Sequence, residues 1–337
     1  MNELFFGFPE EDIKAVYSSC ADIWPKLDGS QILVMGGTGF IGQWLVASLG
    51  YAQLAGHTIN ITVLSRDPRT HLKKFSSESF QISWIESDIS KPLNLDIEKY
   101  EFIINAATPS SAKAGAIVPS YVYDSIIFGN KKVLNGLHNH ALRYIFLSSG
   151  AVTQLEKSEL NYERDMCERQ HLDTLGSAYS HGKRFAEIDI AKTRGAFGLN
   201  AQSLRLYAFA GPGLPIDQHF AAGNFMRNYL TADPIEIKGN PKTQRSYMYP
   251  TDLVTHIVKS LISNETETRE LGSTEVVSIF QLATLISLDR NPPSITVGDL
   301  SQPVSSYFPT SDKVLAQTIN LDESIRRWKE WLISVKS

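Results

Sequence analysis

Two cysteines in 337 residues, Cys20 and Cys167, are too few for a disulfide framework or a paired-cysteine metal site. Both read as reduced thiols, and no metal is expected. Long apolar runs are also missing. No window reaches the ~18 uninterrupted apolar residues of a membrane span, and Met1 to Asp12 carries acidic residues where a secretory leader would be basic. Neither export nor membrane insertion is expected, and the chain reads as cytoplasmic. A large excess of one charge is lacking too: a formal net charge of −4 gives no general attraction to nucleic acid or anionic lipid, so any basic site must be small and local. There is no Gly/Ser- or Pro-rich linker, internal repeat or low-complexity stretch. With 42% hydrophobic residues, the chain has the material for one large α/β unit carrying a smaller lobe.

What is present is, first, a glycine loop. Gly36-Gly37-Thr38-Gly39-Phe40-Ile41-Gly42 follows the apolar run Ile32 to Met35 and opens an amphipathic segment. Glycines at 36, 39 and 42 allow a sharp turn, close approach of backbone to a pyrophosphate, and tight helix–strand packing, with unpaired helix N–H groups offered to the anion. Around this loop, strand-like and helix-like runs alternate as a doubly wound, Rossmann-type parallel sheet requires. Strands are predicted near 31–35, 59–65, 81–86, 101–106, 143–149 and 199–207, and helices near 40–54, 121–140 and 178–196. Residues 1–28 read as an N-terminal helical appendage, with helical spacing from Glu10 to Ile23 and a stop at Pro25. Residues 29–210 read as the dinucleotide-binding domain, and 211–337 mainly as a substrate lobe, with part of the segment near 245–265 returning to the core. Short elements are predicted in that last part near 220–231, 235–237, 245–249, 251–262, 278–288 and 321–334. The two long helices at 121–140 and 178–196 suggest a homodimer.

A second pattern lies downstream. Tyr179 and Lys183 are four residues apart and share one helix face, where the ammonium is expected to favour the phenolate and lower its pKa. Ser149, at the carboxyl end of a predicted strand, is placed to hydrogen-bond the same substrate oxygen. The expected catalytic group is therefore Ser149, Tyr179 and Lys183.

These motifs come with others: Ser87-Asp88-Ile89, Asn105-Ala106-Ala107-Thr108, Leu147-Ser148-Ser149, Leu204-Arg205 with Gly211-Pro212-Gly213, and Arg245-Ser-Tyr-Met-Tyr-Pro-Thr-Asp252. Together they resemble the extended short-chain dehydrogenase/reductase family, in its branch of nucleotide-sugar epimerases, dehydratases and reductases, over roughly residues 30 to 335. The resemblance implies cofactor contacts from Gly36, Thr38, Gly39, Phe40, Ile41 and Gly42. It implies that Asp88 bonds the adenine, Ile89 packs on it, Ala106, Ala107 and Thr108 line the central part, and Lys183 also holds the nicotinamide ribose beside Tyr179. It implies a nucleotide-diphosphate sugar as substrate, bound by Arg245, whose guanidinium fork suits a diphosphate.

The end of the second predicted strand bears on the cofactor. Ser65 and Arg66 suit a ribose 2′-phosphate, which favours NADP(H); Asp67, turned inward, would serve NAD(H) instead, or it simply starts a turn with Pro68. Two departures from the family pattern narrow the reaction. Sugar-nucleotide 4,6-dehydratases carry an Asp-Glu pair after the hydroxyl corresponding to Ser149, whereas Gly150-Ala151 follow here, so elimination is disfavoured. Ala208 stands near the position of an asparagine that helps epimerases hold the diphosphate. Asn224 is a candidate replacement, or merely a helix-surface residue, and His219 reads as a local hydrogen-bonding residue or a substrate contact. The acid-rich segment Glu265 to Glu270 reads as solvated surface. The arrangement is most similar to bacterial reductases of dTDP-4-dehydro-6-deoxyhexoses. That implies reduction of a 4-keto group by NADPH with Tyr179 as proton donor, with a 4-epimerase as the alternative.

Overall fold

The computed structural model of the protein describes residues 3–69, 81–91, 95–108, 118–137, 143–153, 175–218, 220–290, 294–310, 314–315 and 317–335. Cys167 and His219 lie outside these residues.

The chain opens with a small hairpin, β1 (Leu4–Phe5) and β2 (Phe8–Pro9), then α1 (Glu10–Ser19) and a 3₁₀ turn at Trp24–Leu27 that contains Pro25. The core alternates β3 (Gln31–Met35), α2 (Phe40–Leu54), β4 (Asn60–Ser65), β5 (Ile82–Glu86), β6 (Phe102–Asn105), α3 (Pro119–Gly136), β7 (Arg143–Ser149), α4 (Leu175–Phe197) and β8 (Ala201–Leu206). After β9 (Ala208–Phe209) come α5 (Ala221–Leu230), β10 (Ile235–Ile237), β11 (Gln244–Met248), α6 (Pro250–Leu261), β12 (Arg269–Leu271) and β13 (Val276–Ser278). The chain ends with α7 (Ile279–Ser287), β14 (Ile295–Val297), β15 (Ser306–Tyr307) and α8 (Leu321–Ser334).

Seven strands form one parallel sheet in the order β12-β8-β7-β6-β3-β4-β5. This is the Rossmann-type doubly wound α/β fold. Strands buried on both faces carry unbroken apolar runs, as β3 does over 32–35 and β7 over 144–147, whereas the edge strand β5 stays partly exposed along its length. Ile32 and Val34 face α1, α2 and α6 on one side; Leu33 and Met35 face α3 and α4 on the other. The strand order reverses between β3 and β6, which opens a crevice at their carboxyl ends, the ordinary ligand position in such sheets.

Residues beyond 210 divide between two places. Helix α6 packs into the first core, and β12 completes the central sheet. The rest forms a separate apolar cluster of α5, α7, α8 and β10, with β11 paired to β9, β13 and β15, and β10 to β14. In the segment 265–270, read as solvated surface, Glu265 and Glu267 are exposed, but strand β12 corrects that reading for Glu270. Glu270 is 5% exposed because Tyr207 Oη and Thr153 Oγ1 donate to its Oε1 at 2.7 and 3.1 Å, and Thr310 N–H donates to its Oε2 at 3.2 Å.

The N-terminal segment clasps both parts. Asp12, fully buried, accepts from Tyr249 Oη at 2.5 Å and from Arg327 Nη1 at 2.7 Å, while Trp331 Nε1 donates to Gly7 O at 2.7 Å. Phe8 packs at a tilt against Trp44 with ring centres 4.4 Å apart, and Trp44 Nε1 donates to Pro212 O at 2.9 Å. Burial drives the Cys20 thiol up to about 12, so this cysteine stays protonated.

Candidate active site

A cavity of about 1370 Å³ runs along the carboxyl ends of the central strands, beneath the lobe. Eighteen of the residues singled out in the sequence border it, from Gly36 at the loop to Arg245 and Asn224 in the lobe.

At the loop, the glycines have separate jobs. Gly36 takes φ +79°, and a Cβ there would lie 2.8 Å from Ala106 O, so only glycine combines this turn with the close approach of β6. A Cβ on Gly42 would lie 2.2 Å from Gly36 O and 2.6 Å from Gly37 Cα, which locks the helix onto the turn. Gly39 is the N-cap of α2, and no side chain caps that end. The helix therefore presents bare N–H groups and its positive dipole end to the cavity. This cradle, which side chains would fill, fits a dinucleotide pyrophosphate.

At the end of β4, Ser65 and Arg66 border the cavity, and Asp67 does not. Asp67 Oδ1 accepts instead from Arg69 N–H at 3.2 Å, so it serves the turn. Ser65 Oγ lies 2.7 Å from Thr38 Oγ1. Ile89 is buried against Gly129, where a Cβ would meet it at 2.3 Å.

Further along, Ser149 ends β7 and Tyr179 and Lys183 come from α4. Lys183 Nζ donates to Thr108 Oγ1 at 2.8 Å and to Leu147 O at 2.5 Å, lies 4.6 Å from the Phe146 ring centre and 5.8 Å from that of Tyr179. Burial lowers Lys183 to about 7, with the Glu187 carboxylate acting against it. Burial pushes the Tyr179 phenol above its ordinary value, and a hydrogen bond with Ser149 pulls it back only in part. The expected lowering of Tyr179 by a lysine is thus corrected for the protein alone. The ammonium is itself desolvated and held by Thr108 and Leu147, so its charge does not outweigh burial of the phenol.

A buried polar group supports this centre from behind. Glu187, one turn beyond Lys183, receives Ser148 Oγ at 2.6 Å and forms an ion pair with Arg205 at 2.8 Å. In front stands Tyr307, which sequence reasoning missed. Its Oη is 3.1 Å from Ser149 Oγ and donates to Leu206 O at 3.2 Å, and its ring lies 5.1 Å from that of Tyr207. The Tyr207 ring occupies the space over Gly150, where a Cβ would meet it at 2.3 Å. No periodic signal marks Tyr307, because β15 is two residues long and is placed only by pairing with Arg245 on β11.

Arg245 borders the lobe side, donating to Gln244 O at 2.7 Å and Ser305 Oγ at 3.1 Å, with its guanidinium carbon 5.9 Å from the Tyr307 ring centre. Asn224 lies on α5 facing the same cavity. Among the described residues no helix is long and apolar enough to cross a membrane, and no group of three metal-ligating side chains occurs.

Known proteins resemble this chain in family and fold. The NAD dependent epimerase/dehydratase family matches residues 32–271. Among curated proteins, UDP-glucuronic acid decarboxylase 1 of Xenopus tropicalis is 23% identical over 269 residues, covering 77% of this chain and 60% of its own length. The chain thus spans about three fifths of the first curated relatives it matches. Among solved structures, UDP-N-acetylglucosamine 4-epimerase from Methanobrevibacter ruminantium M1, in complex with UDP-N-acetylmuramic acid, superposes with a TM-score of 0.73 at 18% identity, covering 91% of this chain and 99% of that one. The Bordetella bronchiseptica enzyme WbmF in complex with NADH gives 0.68 at 16% identity, covering 92% and 93%.

Proposed function

Since the chain belongs to the NAD-dependent epimerase/dehydratase family, and so is an enzyme of the extended short-chain dehydrogenase/reductase type, we propose that it reduces the 4-keto group of a nucleotide-linked 4-dehydro-6-deoxy sugar, with dTDP as the nucleotide and NADPH as the reductant. The bound dinucleotide supplies the hydride. Tyr179 gives the proton to the oxygen at C4, Ser149 orients that oxygen, and Lys183 supplies positive charge beside the phenol as it gives up its proton. Arg245 and Asn224 hold the diphosphate side of the substrate. Ser65 and Arg66 border the cavity and Asp67 turns away from it, which supports NADP(H) over NAD(H).

The observation that carries this reading against elimination is the wall after Ser149. Gly150 and Ala151 offer no acid or base, and the Tyr207 ring fills the place of any side chain at 150, its hydroxyl committed to Glu270. Elimination needs proton transfer at C5 and C6, and this wall does not supply it. A 4-epimerase would use the same Ser149, Tyr179 and Lys183 without net consumption of cofactor. The reading also places the protein in the cytoplasm, as a homodimer joined through the outer faces of α3 and α4, where Phe128, Phe185 and Ile188 are 50%, 48% and 39% exposed.

The experiment follows reduced-nicotinamide absorbance with NADPH, and separately NADH, against 4-keto-6-deoxy sugars on dTDP, UDP, GDP and CDP, with UDP-glucuronate included. One NADPH oxidised per sugar reduced supports the proposal. Conversion of a nucleotide sugar, or release of CO₂ from UDP-glucuronate, with no net oxidation contradicts it.

A further inference from the structure

Arg66 leaves the end of β4 at the adenosine side of the cavity. Its Nη1 donates to Tyr121 Oη at 3.0 Å, and Tyr121 Oη donates to Asp88 Oδ2 at 2.9 Å. A phenol has one hydrogen, so with that hydrogen on Asp88 the oxygen is fixed as an acceptor toward Arg66. The carboxylate at the end of this chain is itself held, because Asp88 Oδ1 accepts Ser90 N–H at 2.9 Å and Ser90 Oγ–H at 2.8 Å. Burial alone would raise Asp88, but these bonds, Tyr121 and the charge of Arg66 together keep its pKa below the ordinary value. Tyr121 stands in the first turn of α3, a helix anchored through buried Val122 and Ile126. All three members of the chain border the cavity.

We propose that Tyr121 determines specificity for the 2′-phosphate of NADP(H) by tethering the Arg66 guanidinium at the cavity edge, a proposal that rests on the NADP(H) reading above. An arginine on an exposed strand end carries a large rotamer entropy, which binding an anion must otherwise overcome. A tether removes part of that cost before the ligand arrives. The hydroxyl also stands between the guanidinium and Asp88, so Asp88 orients Arg66 without pairing with it directly. Tyr121 uses one N–H of a five-donor fork and leaves a face for phosphate. Ser65, bonded to Thr38, borders the same part of the cavity with a second hydroxyl. Without the phenol oxygen, Arg66 is free to swing onto Asp88, and the loss should fall on the phosphorylated cofactor alone.

The test is equilibrium binding to the full chain, followed by the fluorescence of NADPH and of NADH, with 2′,5′-ADP and 5′-AMP as competitors. The proteins are wild type, Tyr121→Phe, Arg66→Gln and the double variant. Wild type is expected to prefer NADPH by about tenfold or more. Tyr121→Phe should lose about tenfold for NADPH and 2′,5′-ADP and less than about twofold for NADH and 5′-AMP. In the Arg66→Gln background, the second substitution should change NADPH binding by less than about twofold, because the tether then has nothing to hold. Equal losses for both cofactors would make Tyr121 a wall of the adenosine pocket and overturn the tether, as would an unchanged preference for NADPH in Tyr121→Phe. Wild type binding NADH as tightly as NADPH overturns the cofactor reading itself, and shows this before any variant is compared.

Discussion

At the glycine loop the cavity is shaped by one short stretch of main chain; around Tyr179 it is shaped by side chains gathered from distant parts of the sequence. Gly36, Gly39 and Gly42 lie within seven consecutive residues and act through backbone shape and bare N–H groups. The Tyr179 end combines Ser149 from β7, Tyr179 and Lys183 from α4, Tyr207 after β8, Arg245 from β11 and Tyr307 from β15. The first kind of site follows from local turn chemistry. The second exists only after β11, β15 and α8 have docked, so it depends on long-range contacts such as the Asp12–Arg327 pair.

That contrast can be tested by breaking each end separately, beginning with the chemistry. Tyr179→Phe should lower kcat by about a thousandfold, within the usual range for loss of a general acid, while NADPH affinity measured by fluorescence stays within about twofold. A matching fall in NADPH affinity would mean that the phenol serves binding, and the division into two ends would be blurred. Next in size is the clasp. Arg327→Met leaves Asp12 buried with Tyr249 alone and should cost roughly 3 kcal/mol in urea unfolding. A two-step unfolding curve, with the lobe lost first, would sharpen the comparison.

At the other end, Gly42→Ala forces a methyl into main-chain atoms of the loop. It should cost about 2 kcal/mol and weaken the cofactor. Gly195→Ala, in α4 with nothing within 4 Å of the new Cβ, should gain about 0.5 to 1 kcal/mol and leave the cofactor unaffected. The smallest effect is a slope. Lys183 gives up its proton near 7 in the folded protein and near 10.5 in the unfolded chain, so between those values the unfolded state binds more protons and stability rises with pH. The rise is at most about 1.4 kcal/mol per pH unit from this group. Comparing urea midpoints at pH 7 and 9, Lys183→Met should flatten it.

The same division explains what could be read from the sequence. The strands β3 to β8 and helices α2 to α4 show as apolar runs or helical spacing because each is long enough to carry a period, and the glycine loop and the Tyr179–Lys183 pair are local patterns. The strands β9, β12, β13, β14 and β15 have two or three residues each. No period exists in so short a segment, and their partners lie elsewhere in the chain. Glu270 looked solvated because it ends an acidic run, yet Tyr207 and Thr153, both far upstream, supply the hydrogen bonds that permit its burial. Tyr307 and the Arg66–Tyr121–Asp88 chain were hidden for the same reason. Spacing along α4 gave the neighbourhood of Tyr179 and Lys183 correctly but not their proton affinities, which follow from burial that spacing does not report.

The central claim is net hydride transfer to C4 of a nucleotide-linked keto sugar. NADPH deuterated at the nicotinamide C4 position, turned over with dTDP-4-dehydro-6-deoxyhexose and followed by NMR of the product, tests it most directly. The account predicts deuterium at C4 of the sugar, with one oxidised cofactor formed for each sugar reduced. A keto sugar left unreduced at C4, with no deuterium there and no oxidised cofactor accumulating, would contradict it.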